Sequence, residues 1–231
     1  MANQEGTLGT AGAVIVAAGE SRRMNGIDKV FAPVGGEPVI ARAVAAFERA
    51  PEVAAIVVVV SPANFERMIE VARARKWRKV TKVVLGGARR QDSVARGLAA
   101  LPPCDYVLVH DGARPLVSGR AIREGLAAAM ETGAAIPTVP LKETVKVVDA
   151  QGFVVATPDR AGMGAVQTPQ VFRRDLLERA HREIVEDVTD DAAMVERLGG
   201  RVRVFAGDNT NIKVTTPEDL AMAEALMGQQ H

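Results

Sequence analysis

The chain is poor in cysteine and has no excess of charge of one sign. Its one cysteine, Cys104, excludes an internal disulfide framework and is typical of a reducing compartment. We interpret Cys104 as a half-buried structural thiol in a helix-to-strand linker. The formal net charge is +1 over 231 residues, which favours neither a nucleic-acid partner nor a membrane surface. Any anionic ligand must therefore be attracted by local charges.

The sequence also lacks long apolar segments and the pattern of a signal peptide. The apolar run at 54–60, AAIVVVV, is ended by Ser61 and Pro62 and is far shorter than a membrane span. The polar start, MANQEGTLGTAG, does not have the basic and then apolar pattern of a signal peptide. We therefore expect a frayed leader, no membrane association and a cytoplasmic location.

Familiar catalytic motifs are missing as well. The chain has no Ser/His/Asp spacing, no zinc-ligand pattern and no Walker-type phosphate loop. The glycines at 9–14 precede the first strand, and Gly19 is not followed by the later glycines of the motif, so a dinucleotide site is poorly supported. We expect His110 to be a hydrogen-bonded core residue, and His181 and His231 to be incidental.

Apolar runs alternate with amphipathic stretches along most of the chain. We predict strands at 13–17, 55–60, 80–87, within 105–115, at 134–140 and at 201–206, and helices at 38–49, 62–75, 92–100, 119–131, 173–185, from 189 and from 217. This alternation predicts an α/β fold with three layers, α/β/α, around a mostly parallel sheet. We expect a single domain over 1–231, because the length and 48% apolar content suit one large core.

The pattern changes from helical to alternating at Leu141. The segment KETVKVVDAQGFVVATPDR alternates polar and apolar residues on either side of 149–152, which is typical of a β-hairpin. An isolated hairpin is barely stable alone, and we expect its Val and Phe side chains to be exposed. We therefore predict that residues 141–160 form a projecting arm that makes an oligomer contact.

Four glycine-rich or charged clusters follow predicted strands, at 17–29, 86–93, 111–114 and 211–213. Ligands bind at these carboxyl ends in open parallel sheets. The first cluster begins with small residues and continues to Arg22, Arg23 and Lys29. Backbone N–H groups and fixed cations in such a turn suit a phosphate chain. Four clusters facing the same side favour one shared anion site.

Two groups of acidic residues have different explanations, one at the end of a predicted strand and one at the start of a predicted helix. Asp111 directly follows an apolar strand, and a carboxylate there can hold Mg²⁺ while the metal bridges nucleotide phosphates. Thr189 is expected to cap a helix whose first turn holds Asp190 and Asp191. That capping role accounts for these three residues, so we assign them no catalysis.

Together these segments resemble one family, the 2-C-methyl-D-erythritol 4-phosphate cytidylyltransferases of the non-mevalonate isoprenoid pathway. The resemblance runs from Val14 to about Ala223. It is carried, in this order, by AAGESRRM, GGARRQDSVARGL, VHDGARP, ETVK, Asp159-Arg160, QTPQVF, TDDA and GDNTNIKVTTPEDL. It implies a glycosyltransferase-A-like nucleotidyltransferase fold and a homodimer formed through the β-arm.

The resemblance also implies which residues bind CTP. The family's contacts to the nucleotide fall on small residues of the first two clusters: Ala17, Ala18, Gly19, Gly86, Gly87 and Ser93. Arg23 and Lys29 would be catalytic residues on the phosphates. Asp111 would take part in binding both the nucleotide and Mg²⁺, or another divalent cation.

The family's contacts to the acceptor, a polyol phosphate, fall on Arg114, Thr144, Arg160, Thr168 and Lys213. Arg114 would also support the Asp111 loop. Thr144 and Arg160 would reach in from the partner's arm. The resemblance also implies that Arg160 and Lys213 are catalytic residues, together with Arg23 and Lys29.

The chemistry that the resemblance implies needs no protein nucleophile. A phosphate oxygen of the acceptor attacks the α-phosphorus of CTP while pyrophosphate departs, so the site must position two polyanions and neutralise their charge. The expected product is 4-diphosphocytidyl-2-C-methyl-D-erythritol. Two alternatives stay open, a ribitol-5-phosphate cytidylyltransferase and a non-catalytic nucleotide-sensing dimer.

Overall fold

The computed structural model describes residues 9–19, 24 and 28–228. Its strands are β1 (Ala11–Ala17), β2 (Pro33–Val34), β3 (Glu37–Pro38), β4 (Val53–Val60), β5 (Val80–Leu85), β6 (Tyr106–Asp111), β7 (Ala134–Pro140), β8 (Val147–Val148), β9 (Val154–Ala156), β10 (Gly164–Val166), β11 (Gln170–Arg173) and β12 (Arg203–Ala206). Its α-helices are α1 (Val39–Arg49), α2 (Phe65–Ala74), α3 (Arg90–Ala100), α4 (Gly119–Thr132), α5 (Arg174–Glu183), α6 (Asp191–Arg197) and α7 (Pro217–Gly228). Across these residues the helices are too short or too polar to span a lipid bilayer.

Within the described residues, eight strands form one sheet. Their order is β10-β7-β11-β6-β1-β4-β5, and β12 pairs with β7. β1 runs parallel to β4 and β6, and β4 runs parallel to β5. β11 is antiparallel to β6 and β7, and β10 is antiparallel to β7. The prediction of a mostly parallel sheet is confirmed.

The central strands are buried on both faces, which explains their continuous apolar sequences. On one face, Ile15 and Ile56 pack in a cluster with apolar residues of α1, α2 and α4, including Phe47. On the other face, Val14 and Val57 pack in a cluster with residues of α3, α5 and α6. Helices therefore cover both sides of the sheet, and the predicted three-layer α/β/α architecture is confirmed.

Helix α3 approaches the sheet closely at Gly97. A Cβ atom there would lie 2.4 Å from Cγ1 of Val14 and 2.9 Å from Cγ2 of Val59. Any larger side chain would push the helix away, so glycine permits this packing. The contact fixes the position of α3, whose first residues belong to the candidate site.

The segment after β7 leaves the main sheet as a separate hairpin of β8 and β9. In its turn, Oδ1 of Asp149 accepts hydrogen bonds from the N–H groups of Gln151 at 3.0 Å and Phe153 at 2.9 Å. Phe153 and Val154 are 71% and 59% exposed. The predicted hairpin and its exposed apolar residues are confirmed, whereas its oligomer contact stays a prediction.

Some local predictions need correction. Thr189 does not cap α6, because Asp190 occupies the N-cap position and its Oδ1 accepts a hydrogen bond of 2.9 Å from the N–H of Ala193. The short hairpin of β2 and β3 was not predicted, although its turn contains Gly35 and Gly36, both with positive φ. Cys104 is partly buried between α3 and β6, as predicted.

Candidate active site

A cavity of about 170 Å³ lies at the carboxyl ends of β1, β5 and β6. The four sequence clusters all contribute to its lining, with 17–19 and Lys29 from the first, 87–90 and Ser93 from the second, Asp111 from the third and Lys213 from the fourth. Arg22 and Arg23 lie outside the described residues. The fold thus brings together clusters that are far apart in the chain.

Gly86 is not among the residues that line this cavity, and it lies against Ala18, where the turns after β1 and β5 meet. A Cβ atom on Gly86 would lie only 2.2 Å from Cβ of Ala18 and 2.8 Å from Oγ of Ser93. The Ser93 hydroxyl accepts a hydrogen bond of 3.0 Å from the N–H of Gly87 and donates one of 3.1 Å to the carbonyl oxygen of Arg89. These contacts shape a wall of backbone and small side chains, which a planar base can approach closely.

Asp111 is surrounded by cations. Its Oδ2 lies 2.9 Å from Nζ of Lys213 and 3.5 Å from Nε of Arg114. Its Oδ1 lies 3.5 Å from Nε of Arg90. Burial alone would raise the pKa of Asp111, but the three cations outweigh this effect and hold the pKa well below its usual value. The carboxylate is therefore ionised at neutral pH and cannot serve as a proton donor.

Arg90 also connects the cavity to a buried carboxylate on α6. Its Nη1 donates a hydrogen bond of 2.6 Å to Oδ2 of Asp191, and Oδ1 of Asp191 lies 3.1 Å from Nε2 of His181. Burial would raise the pKa of Asp191, but Arg90 and His181 lower it below its usual value. The prediction that His181 is incidental was wrong, because His181 completes this buried group.

Arg90 and Asp191 are two site residues that the sequence motifs do not reveal. Arg90 lies within the second cluster, but a place in the first turn of a helix is enough to explain Asp191. The separation of the two residues by 101 positions left no local pattern that would pair them.

A second cavity, of about 290 Å³, adjoins the first and shares Arg90, Asp111 and Lys213 with it. Arg114 and Thr168 also line this second cavity. Three of the predicted acceptor contacts, Arg114, Thr168 and Lys213, therefore lie together beside the predicted nucleotide contacts. Their roles remain predictions.

Buried hydrogen bonds hold the walls of the second cavity. Oγ of Thr168 accepts a hydrogen bond of 3.0 Å from the N–H of Asp111 and lies 2.9 Å from Nδ1 of His110. Nε2 of His110 lies 3.2 Å from the carbonyl oxygen of Arg114, and Nη1 of Arg114 donates a bond of 2.7 Å to the carbonyl oxygen of Asn211. Burial lowers the pKa of His110 to about 4, so its ring is neutral at pH 7. His110 is the hydrogen-bonded core residue that was predicted.

Thr144 and Arg160 lie apart from both cavities within the chain. Both residues are exposed. Arg160 donates a hydrogen bond to the carbonyl oxygen of Lys142. It lines a different cavity, of about 430 Å³, together with Leu141 and Met163. Neither residue is among those that line the two cavities containing Asp111.

A family model covers nearly the whole chain. The model for IspD, 2-C-methyl-D-erythritol 4-phosphate cytidylyltransferase, matches residues 11–229. The chain belongs to this family. This membership confirms the resemblance seen in the sequence motifs, and it makes the chain a member of a family of CTP-dependent cytidylyltransferases.

Individual proteins that are similar to this chain have names from the same family. The 2-C-methyl-D-erythritol 4-phosphate cytidylyltransferase of Dehalococcoides mccartyi strain 195 is 49% identical over 216 residues, which cover 94% of this chain and 95% of that protein. The enzyme of the same name from Caldanaerobacter subterraneus is 44% identical over 221 residues, 93% of this chain and 97% of that protein. A crystal structure of 4-diphosphocytidyl-2C-methyl-D-erythritol synthase from Anaerococcus prevotii has a TM-score of 0.84 at 30% identity, and the match covers 96% of this chain and 99% of that one.

The residues of this IspD family member fit a metal ion that is held partly by substrate. Among the residues that the structure describes, no group of three His, Cys, Asp or Glu side chains could hold a metal. Asp111 presents one ionised carboxylate to the cavity, and Mg²⁺ is commonly bound through one or two carboxylates together with substrate phosphates. Asp111 therefore suits a ligand shared with phosphate oxygens and not a metal centre made by protein alone.

Proposed function

We propose that the chain transfers the cytidylyl group of CTP to 2-C-methyl-D-erythritol 4-phosphate and releases pyrophosphate, a step of non-mevalonate isoprenoid biosynthesis. Family membership supports the reaction. The observation that carries the site assignment is that two adjoining cavities share Arg90, Asp111 and Lys213. In this proposal the first cavity takes CTP, the second takes the acceptor, and the shared charges lie where the two phosphate groups meet.

The nucleotide half of the site consists mainly of backbone and small side chains. Ala17, Ala18 and Gly19 lie against the nucleotide in this proposal, while Gly86, Gly87 and Ser93 contact cytidine. Lys29 and Arg23 neutralise the phosphates. Close approach of a base to backbone requires small residues, and the tight packing of Gly86 on Ala18 supports this arrangement.

The acceptor half needs residues from two copies of the chain. Arg114, Thr168 and Lys213 line the acceptor cavity in the same copy as the nucleotide cavity, whereas Thr144 and Arg160 of the partner subunit would complete the site. Two facts support this arrangement: within one chain neither residue lines the cavities that contain Asp111, and the hairpin between them exposes apolar side chains. We therefore propose a homodimer through residues 141–160.

The same proposal covers the organisation of the chain and its location. Residues 1–231 form one nucleotidyltransferase domain with 141–160 as its dimerisation arm, and the protein acts in the cytoplasm. One continuous sheet with helices on both faces supports the single domain. The single cysteine supports a reducing compartment.

The reaction requires positioning and charge neutralisation. An oxygen of the acceptor phosphate forms a new bond to the α-phosphorus of CTP, and the bond from that phosphorus to the β-phosphate oxygen breaks, so that pyrophosphate leaves with the electron pair. Lys29, Arg23 and Lys213 lower the barrier by neutralising charge that increases at the α-phosphate and leaving group. Asp111 would hold Mg²⁺ together with CTP, and the ion would supply positive charge that neutralises the phosphates.

Pyrophosphate release with CTP and Mg²⁺ tests the proposal, with 2-C-methyl-D-erythritol 4-phosphate and ribitol 5-phosphate compared as acceptors. Release with the first acceptor alone is expected. Release with ribitol 5-phosphate alone would make the chain a ribitol-5-phosphate cytidylyltransferase. Binding of CTP without release with either acceptor would favour the nucleotide-sensing dimer. The variant Lys213→Ala provides a control. Pyrophosphate release should be lost because the charge of Lys213 is removed, and the fold should persist because its 41% exposed side chain can be removed without opening the core.

A further inference from the structure

The hydroxyl of Thr168 is already engaged by protein groups. It accepts the N–H of Asp111 at 3.0 Å and lies 2.9 Å from Nδ1 of His110. Thr168 is 4% exposed and His110 is 0% exposed, so water does not compete for these bonds. A hydroxyl carries one proton, and a phosphate oxygen of a substrate can only accept it. Whether Thr168 can donate to the acceptor phosphate therefore depends on where that proton is directed.

The partners of His110 set the direction of each bond. The carbonyl oxygen of Arg114, 3.2 Å from Nε2, can only accept, so Nε2 carries the proton of the neutral ring. Nδ1 is then an acceptor, and the Thr168 hydroxyl donates its proton to it. One lone pair of the same hydroxyl receives the N–H of Asp111. The hydroxyl consequently has no proton left for a substrate phosphate.

We propose that His110 is a positioning residue that acts through the Thr168 hydroxyl to fix the backbone of Asp111 between the two cavities. The inference rests on the proposed function, because it explains how that site keeps its shared carboxylate in place. Asn211 extends the same network, since its Nδ2 donates a bond of 2.8 Å to the carbonyl oxygen of Thr168 and it lies two residues before Lys213. His110 itself, being fully buried, does not touch substrate.

Variants of Thr168 and His110 test the proposal kinetically. Thr168→Val removes the hydroxyl at nearly constant size and leaves two buried groups without a partner, so kcat/KM for CTP should fall by about 10-fold. Thr168→Ser returns the hydroxyl and should recover most of that loss. His110→Phe should reproduce the loss, and the double variant should be little worse than either single one, because both remove the same bond.

A different kinetic pattern would overturn the proposal. If the Thr168 hydroxyl instead donates to the acceptor phosphate, Thr168→Val raises KM for the acceptor alone. In that case His110→Phe leaves KM for CTP unchanged, and the two substitutions have additive effects.

An NMR measurement on the wild-type protein is independent of how the variants fold. Long-range ¹⁵N–¹H correlation at pH 7 should show His110 protonated at Nε2 and not at Nδ1, with its signals identified by their loss in His110→Phe. A ring protonated at Nδ1, or at both nitrogens, would overturn the inference even in an active enzyme. Conversely, a wild-type protein that shows the expected tautomer but releases no pyrophosphate would leave the positioning role intact and refute the proposed function.

Discussion

The buried ion pair between Arg90 and Asp191 leads to a prediction whose size follows from its surroundings. Asp191→Asn keeps the side-chain volume but removes the charge that faces Nη1 of Arg90 at 2.6 Å. Removing one partner of a buried pair generally costs 3–5 kcal/mol, and we expect about 3 kcal/mol, near the lower end. The reason is that the Arg90 side chain retains 26% exposure and has Asp111 at 3.5 Å as a second partner.

Urea unfolding, followed by the fluorescence of Trp77, measures this change as a lower midpoint at an unaltered slope. Its pH dependence gives a second test. Burial would raise the pKa of Asp191, but Arg90 and His181 hold it below the usual value of 3.8. The stabilisation is therefore complete above that value and is lost as the pH falls through the lower, folded-state pKa. The difference in unfolding free energy between wild type and Asp191→Asn should shrink in acid.

An exposed ion pair provides the matched control. Glu131 and Arg203 are 3.2 Å apart, and their side chains are more than half exposed. Glu131→Gln removes the same charge from this surface pair and should cost less than about 1 kcal/mol. If Asp191→Asn costs no more than Glu131→Gln at pH 7, or if its cost does not diminish in acid, the buried pair does not stabilise the fold as we infer.

Four further predictions concern the site and the arm. Lys29→Ala should lower kcat by about 10²- to 10³-fold in a pyrophosphate-release assay, because in the proposed function its charge acts on the transferred phosphate; near-normal turnover would contradict this role. Arg160→Ala should raise KM for the acceptor much more than KM for CTP, and equal effects would argue against separate subsites. Deleting 147–156 should give monomers with weak acceptor binding in sedimentation and calorimetry, whereas an active dimer would refute the arm contact. Gly86→Ala should weaken CTP binding and cost about 1–3 kcal/mol in urea unfolding, because its Cβ would lie 2.2 Å from Cβ of Ala18; wild-type values for both would refute the close packing.

Much of the architecture was predictable from local sequence patterns. Strands such as β1 and β4 are buried on both faces, so their apolar runs stand out from the amphipathic helices between them. The change to alternating residues after Leu141 identified the hairpin, because an exposed two-stranded ribbon keeps a period of two. Local patterns did not distinguish Thr189 from Asp190 as the cap of α6, since both residue types can accept the same backbone bond.

The candidate site was predictable to the extent that its residues occur in short, recognisable segments. The four clusters stand at the ends of strands, and parallel strands deliver their carboxyl ends to one edge of the sheet. The four clusters therefore line one cavity because of the order of strands and helices, and that order was predicted from the sequence. The family resemblance then supplied roles that composition alone does not define, such as those of Thr144 and Arg160.

Only the tertiary structure decided how the buried polar groups pair. Arg90 and Asp191 are 101 positions apart, and Asp111 and Thr168 are 57 positions apart, so no helical or strand period relates them. A buried charge or hydroxyl must find a partner wherever the packed layers place one, because water does not reach it. The sequence by itself therefore determined which elements form and at which edge of the sheet the four clusters lie, while three-dimensional packing determined which side chains hold Asp111 and Arg90 in place there.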